Sequence, residues 1–385
     1  MAERYLRLGL RLDRHVEGTV DAYFGPASLR ASVEAAPPVE PTELVESADA
    51  LLAELDDGWL RDQIVGLRTY AGVLAGESLS YADEVEGCYG VRPDHTPESV
   101  FAAAHERLGE LLPGEGPVAA RHEAWRQSHL VPRDRIESTL AAVIAAAREL
   151  TRDLVDLPDG ESVVVETVED VPWLGFNFYL GDLRGRVAAN ISMPMSGLDL
   201  LVLALHETYP GHQAERACKE QRLVRERGLL EESIVLVPTP QSLVSEGIGR
   251  LAPLVLLETP GASALADIVR SAGVDLDLAH ALAVEQASEP CRWVEVNAAL
   301  MMHDGGAPDD EVLAYLQHWG VMAPDLAEHL VRFMKEPTSR TYMMNYPAGL
   351  RLCSSFVDGD PARFRRLLTE QVRVRDLLEA SGGLT

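Results

Sequence analysis

Through most of the first 157 residues, apolar side chains recur every three or four positions, the rhythm that lines one face of an α-helix. TELVESADALLAELDDGWLRDQIVGLRTYAGVLAG keeps Leu, Val and Ile in that rhythm over several turns. PESVFAAAHERLGELL opens on Pro97-Glu98 and stops before Pro113-Gly114, residues suited to the start and end of a helix. VPRDRIESTLAAVIAAARELTRDLVDL reads the same way, and no fixed-period repeat joins these segments. Near residue 160 the period shortens. ESVVVETVED alternates β-branched residues, FNFYLGD is aromatic, GRVAANISM is a third short candidate, and GDLRGR supplies a turn between the last two. This is the only sheet the pattern predicts. The helical rhythm then returns up to Thr385, interrupted at VPTPQS, ETPGAS, HDGGAPDD and KEPTSR. The expected fold is mainly α, with one small sheet in an α+β arrangement. A helical region over residues 1–157 precedes a second region over 158–385, the two packed as one unit.

Composition narrows what such a fold does. With 385 residues and 46% apolar side chains, the chain is long enough to bury a large core. Its net charge is −27, and Lys219 and Lys335 are its only lysines. An acidic surface of this kind repels phosphate backbones, which argues against a nucleic-acid partner. Cys88, Cys218, Cys291 and Cys353 are widely spaced with no C-x-x-C pair, arguing against a cysteine zinc site or a disulfide framework. MAERYLRLGLRLDRHVEG lacks the unbroken apolar run of a signal peptide, and no stretch approaches the roughly 18 apolar residues of a membrane span. A soluble cytoplasmic protein is the expectation. No G-x-S-x-G elbow, P-loop or G-x-G-x-x-G fingerprint is present.

Chemistry concentrates in one segment, MSGLDLLVLALHETYPGHQAERA. Ser196 suits an N-cap and Asp199 the first turn, and the following apolar run marks a helix buried on most sides. His206 and Glu207 close that run. A carboxylate at a buried helix end is costly unless it is hydrogen-bonded, paired or beside a metal. The pair resembles the start of a His-Glu-x-x-His zinc helix, but the next histidine, His212, follows at an offset of six rather than four. On an ideal helix an offset of four separates side chains by about 40°, whereas six separates them by about 120°. Pro210 and Gly211 lie between, and a kink or π-type bulge there would bring His212 back to the face of His206. The same Pro-Gly pair would also serve simply to end one helix and begin another. Zinc of this kind takes three protein ligands, and the strongest downstream acid is Glu246 in SLVSEGIGRLAPLVLLE, beside Gly247 and Gly249, which permit close approach. Glu258, Asp267 and Glu285 lack that small-residue setting. The remaining histidines have no partner at ligand spacing.

HETYPGHQAE followed by SEGIGRLA resembles the bacterial family called domain of unknown function 885, itself similar to gluzincin zinc peptidases such as carboxypeptidase Taq. The resemblance spans roughly residues 165–368 and implies a helical zincin-like fold with the small sheet beside the zinc helix. It implies one zinc ion on His206, His212 and Glu246, with Glu207 as the general base that takes a proton from the attacking water. NAALMMHDGGAPDDEVLAYL resembles a family segment that brings His303 near the site, and PTSRTYMMNYPAGLRL resembles a Tyr-x-x-Gly segment with Tyr346 and Gly349 in register. An oxyanion donor is needed besides the metal. Tyr346 is the favoured candidate and His303 the second, with Tyr342 and Arg340 also in range. GRVAANISM is the expected edge strand for an extended substrate, with Asn190 and Ser192 facing either the cleft or water. The activity expected is zinc-dependent hydrolysis of a peptide or small amide. A zinc hydrolase of a non-peptide amide or ester, and a non-catalytic helical protein with a degenerate metal site, are the alternatives.

Overall fold

A computed structural model describes residues 1–382 apart from Pro172 and Thr338; Thr338, in the KEPTSR loop, and residues 383–385 lie outside the described part. The chain is mainly α, as its periodicity predicts. Eight helices precede the principal sheet: α1 (Ala2–Asp13), α2 (Ala27–Ala35), α3 (Pro41–Glu54), α4 (Trp59–Leu74), α5 (Tyr81–Tyr89), α6 (Glu98–Leu111), α7 (Val118–Gln127) and α8 (Ile136–Thr151). After it come α9 (Gly197–Glu207), α10 (His212–Lys219), α11 (Pro240–Leu257), α12 (Ala262–Ser271), α13 (Leu278–Ser288) and α14 (Trp293–His303). The last five are α15 (Asp309–Trp319), α16 (Pro324–Phe333), α17 (Asn345–Val357), α18 (Pro361–Thr369) and α19 (Val374–Ser381). Helix α6 begins at Glu98, next to the Pro97 that signals it. No single helix among the described residues is long and apolar enough to cross a membrane.

The sheets depart from the sequence reading in two ways. Strands β2 (Ser162–Val168), β3 (Gly175–Gly181) and β4 (Arg184–Asn190) form a sheet in the order β2-β4-β3, with β2 parallel and β3 antiparallel to β4. The expected edge strand is therefore the central one. Its Val187-Ala188-Ala189 run is fully buried, which suits a strand hydrogen-bonded on both sides, while Val164 and Leu180 on the outer strands are exposed. Asn190 is buried and Ser192 exposed. Asn190 donates to the Val171 and Trp173 carbonyls, and Ser192 accepts from the Asp170 backbone. A second, two-stranded sheet pairs β1 (Val20–Tyr23) antiparallel with β5 (Ile234–Leu236). Strands of four and three residues carry too little alternation to stand out from helical neighbours.

Two large apolar clusters, and a small third one around Tyr179, hold the described residues together. One runs from Tyr5 in α1 through α3–α5 to Leu377 in α19, so the N-terminal helices share their core with the C-terminal ones. The other gathers α8, α9, α12 and α13. Helix α11 contributes to both and crosses α17 closely at Gly247 and Gly349, where an added Cβ on either glycine would lie within 2.7 Å of the other helix.

Candidate metal centre

Helix α9 starts with the cap its sequence signals. Ser196 Oγ accepts from the Asp199 N–H and the Asp199 carboxylate accepts from the Ser196 N–H. Its apolar body is buried, so His206 and Glu207 arrive at the middle of the protein. The helix then stops rather than kinks: α9 ends at Glu207 and α10 begins at His212, with a cis Tyr209–Pro210 peptide between them. Across the break the Gly211 N–H bonds the Leu205 carbonyl and the Ala214 N–H bonds the Thr208 carbonyl. Both span six residues where a helix spans four. Two extra residues are thus looped out, and the His212 ring comes to lie edge-on to that of His206, with centroids 4.6 Å apart.

The principal sheet clamps this loop. Asn177 of β3 donates to the Glu207 carbonyl at 2.7 Å, and Gln213 donates to the Ser162 and Leu183 carbonyls, both at 3.3 Å. The Tyr209 hydroxyl donates to Glu161, which also receives Arg148. From the other side, Gly249 of α11 lies against the His206 ring; a Cβ there would stand 2.6–2.9 Å from three ring atoms.

These constraints bring His206, His212 and Glu246 together, with one ligand atom from each within 4.8 Å of the others. The two Nε2 atoms are 3.1 Å apart, and Glu246 lies 3.5 Å from His206 Nε2 and 3.7 Å from His212 Nε2. Ligand atoms about 2.0–2.2 Å from a tetrahedral ion stand roughly 3.3–3.6 Å from one another, so the spacing suits one ion. Glu246 Oε2 is buried without a hydrogen-bond partner among the described residues, which leaves it free to coordinate a cation. Donor chemistry agrees: two imidazoles and a carboxylate suit zinc.

A second layer holds these three side chains; of its members only Tyr342 was named from the sequence, and then as an oxyanion donor rather than a support. His212 Nδ1 faces Ser245 Oγ at 3.2 Å, Ser245 donates to Glu215 at 2.7 Å, and Lys219 donates to the other Glu215 oxygen at 2.7 Å. With Nδ1–H donating to Ser245, His212 turns an Nε2 lone pair towards His206 and Glu246. Burial alone would lower the His212 pKa, yet Glu215, Glu246 and Glu207 together raise it. Burial likewise opposes the charged form of Glu215, but Lys219 and His212 hold it well below the usual carboxylate range. At Glu246, burial pushes upward while His206, His212 and the hydroxyl of Tyr342 bring the pKa down to about 2. Tyr342 donates to Glu246 Oε1 at 2.7 Å and so fixes that carboxylate. Ser245→Ala is expected to weaken zinc binding about 10- to 100-fold without unfolding the protein, measured by competition with a chromogenic chelator.

The candidates for proton and oxyanion work are placed differently from one another. Glu207 Oε1 is 3.9 Å from His206 Nε2, beside the ligand group without belonging to it. Tyr346 packs edge-on against Tyr342 at 5.5 Å; burial, then the charges of Glu246 and Glu207, push its pKa well up, keeping the hydroxyl protonated. His303 is not brought to the cluster. Its Nε2 faces the Met334 carbonyl at 3.0 Å and its ring stacks on Tyr81. Arg340 pairs with Glu84 at 3.1 Å.

No protein family matches the chain, and no curated protein does. Two solved structures share its fold, each described as a "putative lipoprotein". The protein from Colwellia psychrerythraea superposes with a TM-score of 0.58 at 15% identity over 97% of this chain. The one from Shewanella oneidensis, described as of unknown function, gives 0.53 at 12% identity over 96% of this chain. This chain spans 65% and 69% of their lengths. At such identities the likeness concerns the fold.

Proposed function

We propose that this protein is a zinc-dependent hydrolase of peptide bonds, with His206, His212 and Glu246 as ligands and Glu207 as general base. The observation that carries this reading is the convergence of two imidazoles and a half-satisfied carboxylate, with a further carboxylate beside them outside the ligand group. A purely structural site is closed by its ligands and has no use for that fourth group. The likeness of HETYPGHQAE and SEGIGRLA to domain of unknown function 885, and through it to gluzincins, supports the same assignment.

Held by His206, His212 and Glu246, a divalent ion would supply Lewis acidity and would lower the pKa of water towards about 7. The protein's own groups do the rest. Glu207 accepts the proton of the attacking water and returns it to the leaving amine. Tyr346, kept protonated by burial and by the charges of Glu246 and Glu207, donates to the oxygen on which negative charge develops. Tyr342 and the Ser245–Glu215–Lys219 chain keep the ligand side chains in place.

Elemental analysis of protein purified without chelators tests the assignment. Near-stoichiometric zinc is expected in the wild type, with strong loss in His206→Ala, His212→Ala and Glu246→Ala. Zinc retained in His212→Ala would sink the ligand set. Turnover of a peptide library, set against simple amides and esters, then separates a peptidase from another hydrolase.

A further inference from the structure

The Ser245–Glu215–Lys219 chain beneath His212 ends against a small cavity. Its volume, about 10 Å³, is that of a single water molecule. Phe24 and Val235 supply its apolar wall. The rest is polar: Arg216 and Lys219 of α10, Glu232 in the short turn before β5, and Gln241 in the first turn of α11, together with Glu215 and Ser245. Arg216, Glu232 and Gln241 are only 8%, 3% and 6% exposed. Each nevertheless keeps one buried polar atom without a hydrogen-bond partner among the described residues: Arg216 Nε, Glu232 Oε1 and Gln241 Oε1. Buried polar atoms are nearly always bonded, so three unpaired ones around one cavity point to an occupant.

The bonds these side chains already make define what is left over. Arg216 Nη2 donates to Asp21 at 2.6 Å, Gln241 Nε2 donates to Glu232 Oε2 at 3.2 Å, and Lys219 donates to Glu215 at 2.7 Å. There remain one N–H on Arg216, spare N–H groups on the Lys219 ammonium, and two acceptor oxygens. Two donors and two acceptors complement a water molecule. An anion would be repelled by Glu232, and a metal cation by Arg216 and Lys219.

Glu232 is the least compensated charge here. Facing it are Lys219 and Glu215 of α10, Gln241 of α11, its neighbour Glu231, Tyr5 of α1, and Gln371 beyond α18. Burial pushes its pKa up to about 7, with Lys219 and Gln371 opposing the rise and Glu215 and Glu231 adding to it. Lys219 thus serves two carboxylates while bonded to the one beneath His212.

We infer that this cavity binds one water molecule, which accepts from Arg216 and Lys219 and donates to Glu232 and Gln241, and that Glu232 acts through it as a positioning residue for the metal centre. The path is continuous from Glu232 through the water to Lys219, Glu215, Ser245 and His212. The water site stands on the cavity alone, whereas its effect on a metal rests on the ligand assignment above. An ionised Glu232 adds buried negative charge and steadies Lys219 beneath Glu215. Neutral Glu232 does neither, so His212 and its partners hold a dication less tightly as pH falls through the Glu232 pKa.

Two measurements test this. A high-resolution crystal structure is expected to show one water about 2.7–3.2 Å from Arg216 Nε and Glu232 Oε1. Zinc affinity, from chelator competition across neutral pH, is compared in the wild type, Glu232→Gln and Gln241→Met. The wild type is expected to match Glu232→Gln at acid pH and to bind zinc roughly five- to ten-fold more tightly above the Glu232 pKa. Gln241→Met removes a donor to the carboxylate, so its rise in affinity is expected at higher pH than in the wild type. A merely structural role would lower affinity equally at every pH. Should Glu232→Gln not fold, the displaced rise in Gln241→Met decides the same point. An empty cavity overturns the water site. Parallel pH profiles overturn the positioning role of Glu232 even where the water is seen. A wild type that binds no zinc overturns the ligand assignment and the linkage with it, while the crystallographic result still decides the water site.

Discussion

Glu207→Gln is expected to leave zinc stoichiometry unchanged and to lower peptide hydrolysis by about 10²- to 10⁴-fold, the range that a positioned general base contributes. The first half follows from geometry. Glu207 lies beside His206 but outside the ligand group, and the backbone contact that holds it, from Asn177 to its carbonyl, does not involve the side chain. Glutamine keeps the shape and removes only the capacity to accept and carry a proton. Elemental analysis together with single-turnover cleavage of the best library peptide checks both halves. Full turnover by the glutamine variant would take Glu207 out of the chemistry; loss of zinc would make it a ligand or a support for one.

How far the site was legible depended on whether its parts leave a mark within one segment. The Ser196–Asp199 cap, the apolar body of α9 and the acid flanked by Gly247 and Gly249 are local patterns, and the helices they mark bring His206 and Glu246 to one point with His212. Strand order is not local. GRVAANISM follows a hairpin and so looks like an edge; only its parallel pairing with β2 makes it central. Ser245, Glu215 and Lys219 were equally hidden, because Glu215 and Lys219 form an i,i+4 pair typical of exposed helices. Here α10 is buried and the pair is turned inward beneath His212. One signal existed in retrospect. Lys219 is one of only two lysines in the chain, and it lies seven residues beyond His212. For His303 the family-like segment pointed to the site, but the α14 end turns this ring towards Met334 and Tyr81.

Gly211→Ala is expected to be the most damaging single methyl group that can be added near the site. A Cβ at Gly211 would stand 1.9 Å from the His206 carbonyl oxygen and 2.5 Å from that of Leu205, both backbone atoms with no side-chain freedom to yield. The turn between α9 and α10 must therefore open, and the Gly211 to Leu205 bond that closes the looped-out segment is lost. His212 moves with it. Stability is expected to fall by about 3 kcal/mol, and zinc affinity by about 100-fold or more, beyond what loss of an outer contact such as Ser245 causes. Gly228→Ala provides the control: Gly228 has a φ of +71° but nothing within 4 Å of the added Cβ, so only the left-handed backbone is penalised, by about 1 kcal/mol, and zinc binding is expected to stay normal. Denaturant unfolding and zinc competition on both variants separate strain from displacement. If Gly211→Ala binds zinc like the wild type, the two histidines do not depend on that turn, and the six-residue spacing has some other explanation.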